Sequence, residues 1–444
     1  MTAPQDAHQQ APRRATQWFA DPMLHAVVGL GITQIISWGT CLYGLGVLAD
    51  PISAETGWSR SLIFSGLTVA LLASSVVSPW TGRMIDRHGA RAVMAAGSLL
   101  SAVGLLILAF AANPTVYIFA WLILGPAMRM TLYDAAFAAL VQVTPTRGRR
   151  AISYLTLFGG FASTIFWPIG HELALSIGWR ETLIVYACLH ALVCLPLHWW
   201  SLARREQAPT SPSAVPVPQD TETATPENAR VPAAPTAMTD TQQHEAPLEG
   251  RARFTAMALF ALVVSANGFV FGAMSVHLVS VIGAAGVPLA LAVNIAAMKG
   301  VAQVAGRVGD IVFGRNIDPL TVGRLAIALL PVGLIVLLLA DGAVALIITF
   351  TLLLGVSNGL VTIMRGAVPL KLFGPRGYGE VLGILATPYW LMNALAPATF
   401  AFVVDGLGAT AGVLLLLVAA IVAMLAMECL TFWLARRPSQ AVAR

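Results

Sequence analysis

The sequence predicts an all-α integral membrane protein, with twelve transmembrane helices arranged as two pseudo-symmetric bundles of six. Three observations carry this. Only 11% of the 444 residues are charged and the mean hydropathy is +0.77, whereas a soluble domain carries roughly 25% charged residues. Twelve apolar stretches follow one another along the chain, each near the about 20 residues that cross a hydrocarbon core. A short motif recurs after the second stretch of each half.

The spans fall at residues 23–49, 61–81, 92–112, 115–143, 151–175, 181–203, 254–282, 287–305, 322–340, 343–369, 379–404 and 408–435. Such continuous apolar runs exclude a transmembrane barrel, whose strands alternate over about ten residues. Residues 1–22 are a polar tail with no apolar h-region and are not expected to be a cleavable signal peptide. Residues 23–205 form the first bundle, 253–436 the second and 437–444 the other tail. Between the bundles, residues 206–252 hold eight prolines among Ala, Thr, Gln and scattered acids. A stretch that polar cannot bury a core and is expected to be a disordered linker.

The net charge of +5 is a topology signal. With both termini on one side, 21 Lys and Arg residues fall on that side, 2 (Arg60 and Arg180) fall opposite, and 3 (Arg129, Lys299 and Arg365) lie within spans. Positive charge concentrates on the cytoplasmic side, so both termini are expected there, in a multi-pass protein of the cell inner membrane. Nucleic acid is therefore not an expected partner. Cys41, Cys188, Cys194 and Cys429 all lie in or at apolar spans, without metal-type spacing or a disulfide framework.

The halves echo one another. Gly82-Arg83-Met84-Ile85-Asp86 follows span 2, and Gly306-Arg307-Val308-Gly309-Asp310 follows span 8. Both read G-R-x-x-D in the same inside loop of their half. Leu122-Ile123-Leu124-Gly125 in span 4 matches Leu352-Leu353-Leu354-Gly355 in span 10. Parallel six-span repeats imply an axis along the membrane normal, with a site between the bundles near the midplane.

The loop Gly82 to Arg91 resembles the signature loop of the major facilitator superfamily, G-x-x-x-D-R-x-G-R-R, departing from it at Ala90. Gly57-Trp58-Ser59-Arg60, Gly178-Trp179-Arg180 and Gly306-Arg307 are similar to the monocarboxylate and oxalate/formate branch. The resemblance implies the major facilitator fold, alternating access, and a cavity lined by spans 1, 4, 7 and 10. It also implies a cytoplasmic latch formed by the loop of Asp86 and Arg87. In that branch an arginine at the end of span 8 takes part in binding or coupling. Arg307 matches it, but Gln303 stands where an aspartate one turn earlier would be. Arg307 and Asp310 also belong to the repeated motif, which favours a structural role equally.

Ionisable groups within spans each cost about 2.5–3.5 kcal/mol on insertion scales and therefore face a cavity or a partner. Arg129 lies mid-span 4, with Tyr133 at i+4 on its face and able to orient it. Asp134 at i+5 is about 140° around an ideal helix, so Arg129 and Asp134 are not expected to pair. The Gly125–Gly355 register puts Arg365 near the depth of Asp134, a candidate pair across the bundles; the competing reading is that Arg365 snorkels to the inner surface. Lys299 in span 8, Asn267 in span 7, and Gln34 and Trp38 on one face of span 1 complete the candidate binding set. His277, near the outer end of span 7, is a candidate proton carrier, since histidine is the side chain suited to that role near neutral pH; the competing reading is a satisfied structural histidine. Three buried cations against one carboxylate favour an anionic solute such as a carboxylate, because an unpaired buried cation is costly.

Against an enzyme, His171-Glu172 is not followed by a second histidine in HExxH spacing, and the chain has no P-loop, GxSxG or Cys/His cluster. No cofactor, metal or catalytic residue is expected. Without a nucleotide loop, an ion or solute gradient would drive transport. The expected partners are a small anionic solute, a proton or counter-solute, and the bilayer, with the protein a monomer. Efflux of an amphipathic compound and a non-transporting membrane sensor are the alternatives.

Overall fold

The computed structural model describes residues 21–206 and 247–437. Among the described residues, twelve helices are long and apolar enough to cross a membrane: α1 Pro22–Thr56, α2 Arg60–His88, α3 Ala90–Ala109, α4 Pro114–Val143, α5 Gly148–Ser176, α6 Trp179–Ser201, α7 Gly250–Ala284, α8 Leu289–Phe313, α9 Pro319–Leu338, α10 Val344–Phe373, α11 Tyr378–Leu407 and α12 Ala409–Ala435. The chain is a multi-pass membrane protein of two six-helix bundles, α1–α6 and α7–α12.

Local chemistry sets the helix ends. Asp21, Ser59, Asn113 and Asp318 cap α1, α2, α4 and α9, each accepting a backbone N–H of the first turn. Proline at the first position of α1, α4 and α9 lacks the N–H that would be orphaned there. Gly57 ends α1 in the left-handed region at φ 72°. Four spans are irregular inside. α1 and α6 each contain a π turn, at Gly39–Tyr43 and His190–Cys194. α4 breaks at Leu132 and α5 at Phe161.

Residues 207–246 of the expected linker lie outside the described residues, as do most of the two expected tails. The two ends of the 206–252 stretch are described and are held by hydrogen bonds. Glu206 accepts from Arg147 Nε at 2.8 Å, Leu248 donates to the Leu372 carbonyl at 3.0 Å, and α7 already begins at Gly250. Arg251 and Arg253 are thus helical residues. Arg147 also binds both oxygens of Asp21, at 2.8 and 2.7 Å, so the start of the first bundle and its exit share one guanidinium. That hydrogen bonding holds the Asp21 carboxyl below the usual carboxylate range.

The bundles meet mainly where α2 crosses α11, with α5 against α8 and α10. At the crossing, a Cβ on Gly82 would collide with the Gly379 carbonyl and one on Gly383 with that of Ser78. Only glycine lets these backbones approach so closely.

The repeat of the halves is real, but its register is not that of the G-R-x-x-D motif. Gly125 packs on Ala70, Ala73 and Ser74 of α2, and Gly355 packs in the same way on Lys299, Ala302 and Gln303 of α8. On that register Gly306 lies about a turn and a half deeper than Gly82. It packs on Val356 of its own bundle, whereas Gly82 packs across the bundles. Arg307 is accordingly 2% exposed inside α8 and not in an inside loop, while the Arg83 side chain is 41% exposed.

Candidate functional site

The break in α4 builds the centre of the site. Leu132 is extended (φ −82°, ψ −170°), so α4 runs as Pro114–Thr131 and restarts at Tyr133. Arg129 ends the first piece and Asp134 begins the second. Each charge therefore suits the helix terminus it occupies. The break also swings Asp134 back toward Arg129: Nη1 donates to Oδ2 at 2.5 Å. The expectation that the two cannot pair is overturned, because it assumed an unbroken helix.

Arg365 of α10 donates to the same carboxylate at 3.1 Å, across the bundles. Two guanidiniums thus share one carboxylate, with Arg129 2% exposed. Arg129 Nε and Nη2 are buried without a partner among the described residues, whereas the indole N–H of Trp390 is directed at the Asp134 carboxylate. Both arginines lie over aromatic rings, Arg129 at 4.8 Å from Trp390 and Arg365 at 3.7 Å from Tyr389.

Gln34 bridges α1 to the break. Its Nε2 donates to the Thr131 carbonyl at 2.7 Å, and its Oε1 accepts from Trp38 Nε1 at 3.1 Å. Trp38 lies 5.1 Å from Tyr133 and 6.4 Å from Trp390. Tyr133 does not orient Arg129 as its i+4 spacing suggested, since the break turns it away. It stacks on Phe137 at 5.3 Å and donates to the Thr156 carbonyl at 3.3 Å.

The Thr156 carbonyl also accepts from Arg307 at 2.7 Å, so an α8 arginine reaches α5 across the bundles. One helical turn on, Asp310 accepts from Ser153 at 2.8 Å. Arg149 donates to the Gly314 carbonyl at 2.9 Å. Opposite this seam, Asp86 accepts the first-turn N–H groups of α11 from Gly379 at 3.0 Å and Glu380 at 2.7 Å. Arg87 is exposed and forms no ion pair among the described residues; Arg83, 4.0 Å from Glu380, is the basic residue at this contact. These contacts close the bundles on the arginine-rich face.

Lys299 is half-buried and has no ion-pair partner among the described residues. It stands at the level of Gly355, farther from the arginine-rich face than Arg365. Gln303, one turn on, accepts from Asn358 at 3.0 Å. Two candidates stand apart from the arginine pair. Asn267 is fully buried in the second bundle, with neither amide atom partnered among the described residues. His277 lies 3.1 Å from the Pro397 carbonyl and 5.0 Å from the Phe400 ring, within its own bundle.

Sequence reasoning did not single out Trp390, Tyr389, Thr156 or Ser153. The two aromatics lie in an apolar span where their type is ordinary. Thr156 contributes through its backbone carbonyl, which no side-chain pattern marks.

A family model described as the Major Facilitator Superfamily matches residues 30–397. Two curated relatives match over about a third of their length. One is an uncharacterised 38 kDa protein in the 23S RNA operon of Thermoproteus tenax, 31% identical over 35% of this chain and 37% of that protein. The other is the uncharacterised MFS-type transporter YcxA of Bacillus subtilis strain 168, 25% identical over 34% of this chain and 36% of that one. Among solved structures, the human organic anion transporter MFSD10 superposes with TM-score 0.66 at 15% identity, covering 92% of this chain and 99% of that one. The proton:xylose symporter XylE gives 0.67 at 11% identity over 93% and 95%. The transporter FucP in its outward conformation gives 0.65 at 14% identity over 92% and 99%. At these identities the likeness is one of fold.

Proposed function

The chain belongs to the major facilitator superfamily, and from that premise we propose that it is a secondary active transporter of a small organic anion such as a carboxylate. It works by alternating access across the cell inner membrane, with a proton or a counter-solute as the coupled species. The observation that carries the reading is the arrangement of Arg129, Asp134 and Arg365. Two buried guanidiniums share one carboxylate, so the group retains an excess positive charge in a medium where charge is costly. An entering anion neutralises it. Lys299, on the approach from the other face, adds to the same field.

The basic loops support a cytoplasmic position for the arginine-rich face and for both termini. The latches of Asp86, Arg307 and Asp310 then lie toward the cytoplasm, and this conformer is the one closed on that side. Asp134 is the group that couples. When protonated it leaves both arginines to the solute; when ionised it lowers the net positive charge that the solute meets. His277 is a second proton-carrying candidate, remote from the arginines.

The test is binding of a carboxylate panel to the purified protein in detergent, repeated with Arg129→Gln. At least a tenfold loss of affinity in the variant is expected, since one charged hydrogen-bonding partner is worth about 1.5–3 kcal/mol. If no carboxylate binds, or if the variant transports as the parent does, the anion reading fails. Counterflow in proteoliposomes with and without a pH gradient separates proton coupling from exchange.

A further inference from the structure

We infer that the transported anion is an aryl carboxylate, its ring against Trp38 and its carboxylate on the free edge of Arg129. This rests on the anion reading above and narrows it.

The first observation is which part of Arg129 is free. Asp134 occupies Nη1, and Nε and Nη2 have no acceptor among the described residues. Those two nitrogens form one side of the guanidinium, the pair of parallel donors that matches the two oxygens of a carboxylate. The indole N–H of Trp390, on the ring that Arg129 covers, is directed at Asp134 and is not counted with them. Unpaired buried donors are expensive, and here two sit side by side. A carboxylate has lone pairs enough for both.

The second observation is an aromatic wall leading to that edge. Trp167, 52% exposed on α5, meets Tyr43 at 6.4 Å. Tyr43 meets Trp38 at 6.1 Å, Trp38 meets Trp390 at 6.4 Å, and Trp390 meets Tyr389 at 5.2 Å. The wall draws on both bundles and ends under the two arginines. Trp38 and Trp390 are tilted by 32° at a separation near the far limit for direct ring pairs. Trp390 is 4% exposed with Arg129 over its ring, so the partly exposed Trp38 is the one that offers a face to a further ring.

The third observation concerns the polar groups nearest that edge. Gln34 is committed at both ends, to Thr131 and Trp38, and the Tyr133 hydroxyl is committed to Thr156. Neither is left for a solute. The wall offers aromatic surface, and Arg129 a cationic fork. A flat ring carrying one carboxylate fits that pair of features.

The experiment is calorimetric or tryptophan-fluorescence binding to the purified full chain, using ligands matched in size. Benzoate, phenylacetate and indole-3-acetate are compared with cyclohexanecarboxylate and cyclohexylacetate, and with uncharged benzamide. At least one aryl acid should bind about tenfold or more tighter than its saturated counterpart, and benzamide should bind weakest. Trp38→Ala should bring each aryl acid to within about threefold of its saturated counterpart. If that variant does not fold, Trp38→Phe should keep the preference, and the ligand series on the unaltered chain still decides. Equal binding of aryl and saturated acids overturns this inference and leaves the anion reading standing. Absence of binding by every acid, or benzamide binding as tightly as benzoate, overturns both.

Discussion

Asp134 is the residue on which the site balances. It takes a hydrogen bond from Arg129 at 2.5 Å and one from Arg365 at 3.1 Å. Removing its charge leaves two buried cations without a counter-charge. Breaking a buried pair in this way costs about 3–5 kcal/mol, so Asp134→Asn is expected to lower Tm in detergent markedly. An anionic ligand should then restore more thermal stability to the variant than it adds to the parent, because it supplies the missing charge. A neutral Asn that leaves Tm unchanged would remove the carboxylate from this role. The three charged residues were legible in the sequence, since an ionisable group in an apolar span stands out. Their geometry was only half legible. The approach of Arg365 to Asp134 follows from the shared Gly125 and Gly355 register. The approach of Arg129 does not, because Met130-Thr131-Leu132-Tyr133 contains neither Gly nor Pro to announce a break.

The α4 break is the element-scale feature that makes the site, and its stability comes from outside the helix. A broken helix frees backbone groups that hydrocarbon cannot hydrate. One of them, the Thr131 carbonyl, is taken by Gln34 of α1. Gln34→Leu should therefore cost about 1–3 kcal/mol, read as a lower Tm, and should weaken carboxylate binding because the Arg129 edge loses its support. A Gln34→Leu protein of unchanged stability and affinity would mean that the break holds itself. This tertiary support is why the break could not be read locally. The helices themselves could, because hydropathy marks each span and Asp, Ser and Asn mark several starts. The edges of the linker misled for the opposite reason: Glu206, Leu248 and Gly250 look like polar linker yet are held by Arg147, by the Leu372 carbonyl and by the first turn of α7.

At the scale of the whole molecule, the two halves were legible from the repeat, but the motif that revealed them misplaces its second copy. Gly82 and Asp86 work between the bundles, on Gly379 and Glu380. Gly306 packs within its own bundle, and Arg307 and Asp310 reach Thr156 and Ser153 from a deeper level. The closed face therefore has two unlike seams, a helix cap at α2–α11 and a buried polar contact at α5–α8. Alternating access requires both to part together while the opposite face closes. Spin labels at His88 and Arg376 report the first face, and labels at Ala54 and Ala284 the other. Adding solute and collapsing the gradient should lengthen the first distance and shorten the second in the same fraction of molecules. Asp86→Asn removes the charge that caps α11. A lost cap is worth typically about 1 kcal/mol, so the separated population on the arginine-rich face should rise roughly fivefold. A distance change on one face alone, or no shift in the Asp86→Asn protein, would mean that the α2–α11 seam does not hold the two bundles together on this side.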